Sequence, residues 1–95
     1  MSVTRKKMME ILRVKYPKLF IRTTEEFDGS EGGIWSSGEN GEEAKDGFRL
    51  FDYYAEDYNE VRYQIGVHNE IRKVLEKNGW FAEWYDPGTI MFYES

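Results

Sequence analysis

The chain has no cysteine, only one histidine and two prolines in 95 residues, and no apolar run long enough to cross a membrane. Without cysteine there are no disulfides, no thiolate nucleophile and no cysteine-ligated zinc, which fits a reducing compartment. A spanning helix needs about 18 or more apolar residues, and residues 1–15 hold no apolar signal core. The expectation is a soluble cytoplasmic protein. A lone histidine, His68, leaves one position for imidazole chemistry, and no spacing supplies the orienting carboxylate and nucleophile a catalytic base needs.

What is plentiful is aromatic side chains: six Phe, seven Tyr and three Trp. A core can then be built from few but large residues, and 95 residues predict a single domain, 1–95, burying about 60–65% of its unfolded surface. Charge is uneven along the chain. Residues 1–24 carry seven bases against Glu10, residues 25–60 carry twelve acids against Lys45 and Arg49, and residues 61–95 are nearly balanced, for a net charge of −5.

Apolar spacing predicts a first helix from Val3 or Thr4 to Tyr16, stopped by Pro17, and a second in "VHNEIRKVLEKNG", where Val67, Ile71, Val74 and Leu75 form one stripe and Gly79 ends it. Short strands are expected at Leu19–Thr23 and 33–37, and a longer one in "FRLFDYYA", residues 48–55. Asn40–Gly41 is a turn signal, and residues 56–65 are ambiguous, with a lean to extended. The last segment, "WFAEWYDPGTIMFYES", reads as a hairpin turning at 86–89 through a loop wider than two residues, because Pro-Gly turns match strand twist poorly. Pairing Tyr85 with Ile90 would put Trp80, Ala82 and Trp84 on the core face and Phe81, Tyr85 and Phe92 on the other. The fold class is α+β: an antiparallel sheet of four or five strands with two helices packed on one face.

The stretch "EEFDGSEGGIWSSGENGEEAKDG", residues 25–47, lacks the ligand alternation of a calcium loop and the glycine pattern of a phosphate cradle, so no metal or other cofactor is implied. Its plain reading is a solvated loop. Its sharper reading is a docking surface for a basic protein, with Ile34 and Trp35 as an apolar anchor framed by Glu39, Glu42, Glu43 and Asp46. The Phe81, Tyr85 and Phe92 face is a second candidate, for a partner or a homodimer, unless the acidic loop folds over it as a lid bearing Trp35. Tyrosines interleaved with Asp52, Glu56 and Asp57 oppose phosphate, which argues against direct nucleic-acid binding.

The phrases "GGIWSSGEN", "DGFRLFDYYAEDY" and "GVHNEIRKVLEKNGWFAEWYDPGTIMFYES" resemble the small, acidic, aromatic-rich proteins that bacteriophages and other mobile elements encode. That resemblance implies a protein that binds a host protein, such as a nucleic-acid-handling or defence factor, and inhibits it in the host cytoplasm. The basic first helix departs from the picture. The expected function is a non-enzymatic interaction module docking through residues 25–60. The alternatives are a small hydrolase using His68 or the Asp52 and Glu56 carboxylates, and a structural or homo-oligomeric protein.

Overall fold

The computed structural model describes residues 2–39, 42–56 and 61–95. Helix α1 (Arg5–Lys15) begins where extended Thr4 accepts the Lys7 N–H on its hydroxyl, and it buries Met8, Met9 and Leu12 before Tyr16 and Pro17 end it. Strands β1 (Ile21–Thr23) and β2 (Ile34–Ser37) follow, then β3 (Tyr63–Gln64), β4 (Val67–His68), helix α2 (Asn69–Lys77), β5 (Trp80–Asp86) and β6 (Thr89–Glu94). Four strands form one antiparallel sheet in the order β1-β2-β6-β5, and β3 with β4 makes a separate two-stranded hairpin. The architecture is α+β, with a four-stranded sheet. Among the described residues, no helix is long and apolar enough to cross a membrane.

The register of β2, β6 and β5 decides which side chains are core. Ile34 lies opposite Phe92, Ser36 opposite Ile90, Ala82 opposite Phe92 and Trp84 opposite Ile90. Directly paired residues share a face, so Ile34, Ile90 and Phe92 join Trp80 on the helix-covered side, where Leu12, Ile71, Leu75 and Leu50 complete the core. Each fully covered large side chain contributes about 2–3 kcal/mol.

This register corrects the expected one by a single residue. A bulge between Trp84 and Asp86 leaves Tyr85 as an extra residue in β5, and one extra residue moves every later side chain to the opposite face. Phe92 therefore belongs to the core and is fully buried, as is Ile34. Neither can touch a partner. The loop is also tighter than expected: β5 ends at Asp86 and β6 starts at Thr89. The bulge absorbs the twist that a Pro-Gly loop cannot match, and the Asp86 carboxylate accepts the Gly88 N–H at 2.9 Å.

Two further expectations are corrected. Residues 48–55 form no strand. They make only isolated bridges, Glu43 with Arg49 and Phe51 with Val67, and adjacent Leu50 and Phe51 are both buried. The β-prone residues are satisfied by packing instead of a ladder. Val67 and His68 belong to β4, so α2 starts two residues later than its apolar stripe implied, with His68 as its cap. The end of α2 is as expected: Gly79 has φ of +79°, and a Cβ there would strike Ser2 at 2.4 Å. The Asn40–Gly41 turn and residues 57–60 of the ambiguous stretch lie outside the described residues.

Candidate functional site

The acidic segment is largely built into the fold. Thr24 donates its hydroxyl to the Ser30 carbonyl at 2.7 Å and accepts the Gly33 N–H at 3.1 Å. Glu25 accepts from Arg5 at 2.6 Å and from the Gly32 N–H, and the Arg5 guanidinium holds its carboxyl down at about 2. The loop closed this way carries Phe27 onto the sheet's second face, where its ring lies 4.9 Å from Trp35 and 5.1 Å from Tyr85. The lid exists, but Phe27 is its covering residue and half-buried Trp35 belongs to the sheet beneath.

Of the other acids expected to dock a partner, Glu42 accepts the Lys18 N–H at 2.8 Å. Asp46 accepts the Phe48 N–H at 3.0 Å, the Arg62 Nε–H at 3.3 Å and a bond from His68 Nε2 at 2.9 Å. The Phe48 N–H, aided by His68 and Arg62, holds the Asp46 carboxyl below its usual range although burial opposes it. Glu39 and Glu43 are exposed. His68 is committed on both nitrogens, because Nδ1 accepts the Glu70 N–H at 2.9 Å and so Nε2 carries the proton toward Asp46. Burial disfavours a charged Glu70, yet hydrogen bonds from the Tyr16 hydroxyl at 2.6 Å and the Lys45 N–H at 3.0 Å keep its carboxyl low. Burial and that same bond push the Tyr16 phenol up. Asp52 is buried and accepts the Glu56 N–H at 2.9 Å, and Glu56 lies 3.0 Å from Arg49. These candidate catalytic groups hold local structure together.

A different surface gathers what a binding site needs, and it centres on Trp84. The indole leaves β5 on the core side and fits where a side chain on Gly38 would clash with it at 2.5 Å. Its Nε1–H donates to the Ile65 carbonyl at 2.7 Å, and its ring meets Tyr53 edge-on at 5.1 Å, with Tyr54 a further 5.3 Å from Tyr53. Ile65 and Gly66 form the two-residue turn joining β3 to β4, with φ of +52° and +71°. That is the pattern of a type I′ turn, which favours Asn-Gly. A β-branched residue there costs about 1–3 kcal/mol, and it leaves the isoleucine side chain 80% exposed.

Two concavities meet at Ile65 and Trp84. One, of about 350 Å³, runs along β5 and is bounded by Val67, Ala82, and Arg72 and Glu76 of α2. The other, of about 260 Å³, lies between Trp84, Tyr53 and Asp52. Beyond Tyr53 the surface continues past Tyr54 to Glu39 and Glu56. Of the residues expected to bind a partner, Glu39 lies on this surface and Phe81 borders the first concavity. Tyr85, 57% exposed, lies on the opposite face beside Phe27. Sequence reasoning missed Ile65, Trp84, Tyr53 and Tyr54 as a group. The available signal was Ile-Gly standing between two strand-like dipeptides.

Comparison with protein-family models, with curated proteins and with solved structures finds no match to this chain. Function is therefore read from the geometry.

Proposed function

We propose that the protein is a non-enzymatic interaction module that binds a basic segment of another protein at the surface around Ile65 and Trp84. The observation that carries the reading is Ile65. An asparagine would fit its backbone better and its exposure to water, so an apolar side chain held there against local strain favours contact with a partner. Tyr53 and Tyr54 offer exposed rings to cationic side chains, and Glu39 on the same surface supplies opposite charge, while Glu56 is paired there with Arg49. The docking role first read into residues 25–60 is thus narrowed to a few of those residues plus the β3–β4 turn and β5.

Selection from a displayed random-peptide library tests this. The expected outcome is enrichment of sequences rich in Lys or Arg with aliphatic residues, association that slows between low and physiological salt, and loss of the enrichment in Ile65→Asn. Enrichment of acidic sequences, or of the same sequences by the variant, would overturn the reading.

A further inference from the structure

β5 is the last strand of the sheet, so among the described residues its outer edge carries no neighbouring strand. The ladder on its inner side determines which backbone groups face outward. The Gly79 carbonyl accepts the Ser95 N–H at 2.8 Å, which continues the register pairing Phe81 with Tyr93 and Glu83 with Met91. Antiparallel pairs alternate between bonded and non-bonded. Phe81 and Glu83 therefore bond to β6, and the N–H and C=O groups of Ala82 and Trp84 point away from the sheet. Among the described residues, these outward groups have no backbone partner.

We infer that this edge accepts an extended, cationic segment of a partner protein as an additional strand, with apolar and basic side chains alternating. The inference rests on the interaction-module reading and specifies its mode. An added strand would place alternate side chains on the two faces of the sheet. Those on the helix side enter the apolar concavity against Ile65, Val67 and Trp84. Those on the other side stand beside Phe81, Glu83 and Tyr85, where Glu83 is exposed and a lysine or arginine can meet it while its stem covers the rings. The concavity is lined by Glu76 and Glu83 against one base, Arg72, which is already paired with Glu76, so Glu83 is the charge left to meet a cation. A second copy of this chain would bring the same acids to the same edge, on a body of net charge −5. Charge thus selects a basic heterologous segment over self-pairing.

The probe is a capped heptapeptide alternating lysine and valine, compared with a glutamate-valine version and with two lysine versions N-methylated on alternate residue sets. At ten times its Kd, the lysine peptide should slow amide hydrogen exchange at Ala82 and Trp84 about tenfold and leave Phe81 and Glu83 little changed. The glutamate peptide should bind at least about tenfold more weakly at low salt. One of the two methylated peptides, with its donors toward β5 blocked, should lose about tenfold in affinity while the other keeps it. Ala82→Pro removes an outward N–H that the ladder does not use, so it should fold and lose peptide binding. Binding without protection at Ala82 and Trp84, or equal binding by all three lysine peptides, would overturn strand addition while leaving the interaction module standing. No binding by any peptide would overturn both. Protection that rises with protein concentration alone would make a second copy the occupant and overturn the cationic partner.

Discussion

β1 and β5 close the sheet at opposite ends, and they do so differently. β1 has three residues, and its Arg22 guanidinium lies 4.9 Å over the Phe20 ring. β5 has seven residues, a bulge near its end, and Phe81 and Tyr85 exposed. A short, charged edge is a common way to deter unwanted strand pairing. Under the proposed strand addition, a long edge with outward backbone groups, an apolar groove on one side and Glu83 beside it would deter copies of itself and admit a chain of opposite charge. One edge is closed by brevity, and the proposal has the other filtered by charge.

The largest expected effect separates two neighbours within β5. Trp80 is buried and Phe81 is 39% exposed, so Trp80→Ala should cost about 3–5 kcal/mol in urea unfolding, whereas Phe81→Ser should cost less than about 1 kcal/mol. Equal losses would mean that the outer side of β5 is core, and the contrast between the two edges would fail.

The next effect sits in the turn beside that edge. Gly66→Ala faces both a φ of +71° and the Asp52 carbonyl oxygen at 2.9 Å, and should cost about 1–3 kcal/mol. One residue earlier, Ile65→Asn should stabilise by about 1 kcal/mol and raise the thermal midpoint by about 4–8 °C. Opposite signs at adjacent positions would identify Ile65 as retained for something other than stability. At the closed edge, Arg22→Thr should leave peptide binding within about twofold, and any larger loss would place the partner on β1.

The smallest effect is electrostatic. Glu25, Asp46 and Glu70 have folded pKa values below their ordinary ones. Depressed carboxylates contribute stability above their unfolded pKa, near 4 to 4.5, and that contribution is lost as pH falls through the folded values. Stability should therefore decline below about pH 4.5. Glu25→Gln should flatten part of that limb, modestly, because the Arg5 pair is solvent-exposed.

Both helices and the final hairpin were legible because their signals are local: Pro17 and Gly79 as stops, apolar spacing on α1 and α2, and Pro87–Gly88 between apolar runs. The faces of β5 were legible, with Trp80, Ala82 and Trp84 toward the core and Phe81 and Tyr85 away from it, but those of β6 were not, because the one-residue bulge at Tyr85 is a response to twist and has no marker in composition. The segment around Leu50 and Phe51 misled for a related reason, since β-propensity reports a fit to half-buried surroundings and not a ladder. The Trp84 surface is assembled from β5, the β3–β4 turn and the tyrosines after Phe51, elements that no sequence window spans together.

β6 lies between β2 and β5 yet follows every other element in chain order. Ile34 must find Phe92, and Ser37 must find Thr89, across more than half the chain. Until they meet, β1 with β2 is one ribbon and β5 with β6, joined by a two-residue loop, is another. Loop closure over such distances comes before any reward from contact, so the hairpin ribbons should form early and their joining late, after the helices. For that interval β6 presents the edge that β2 will cover, which makes the refolding chain most prone to association just before the two ribbons join.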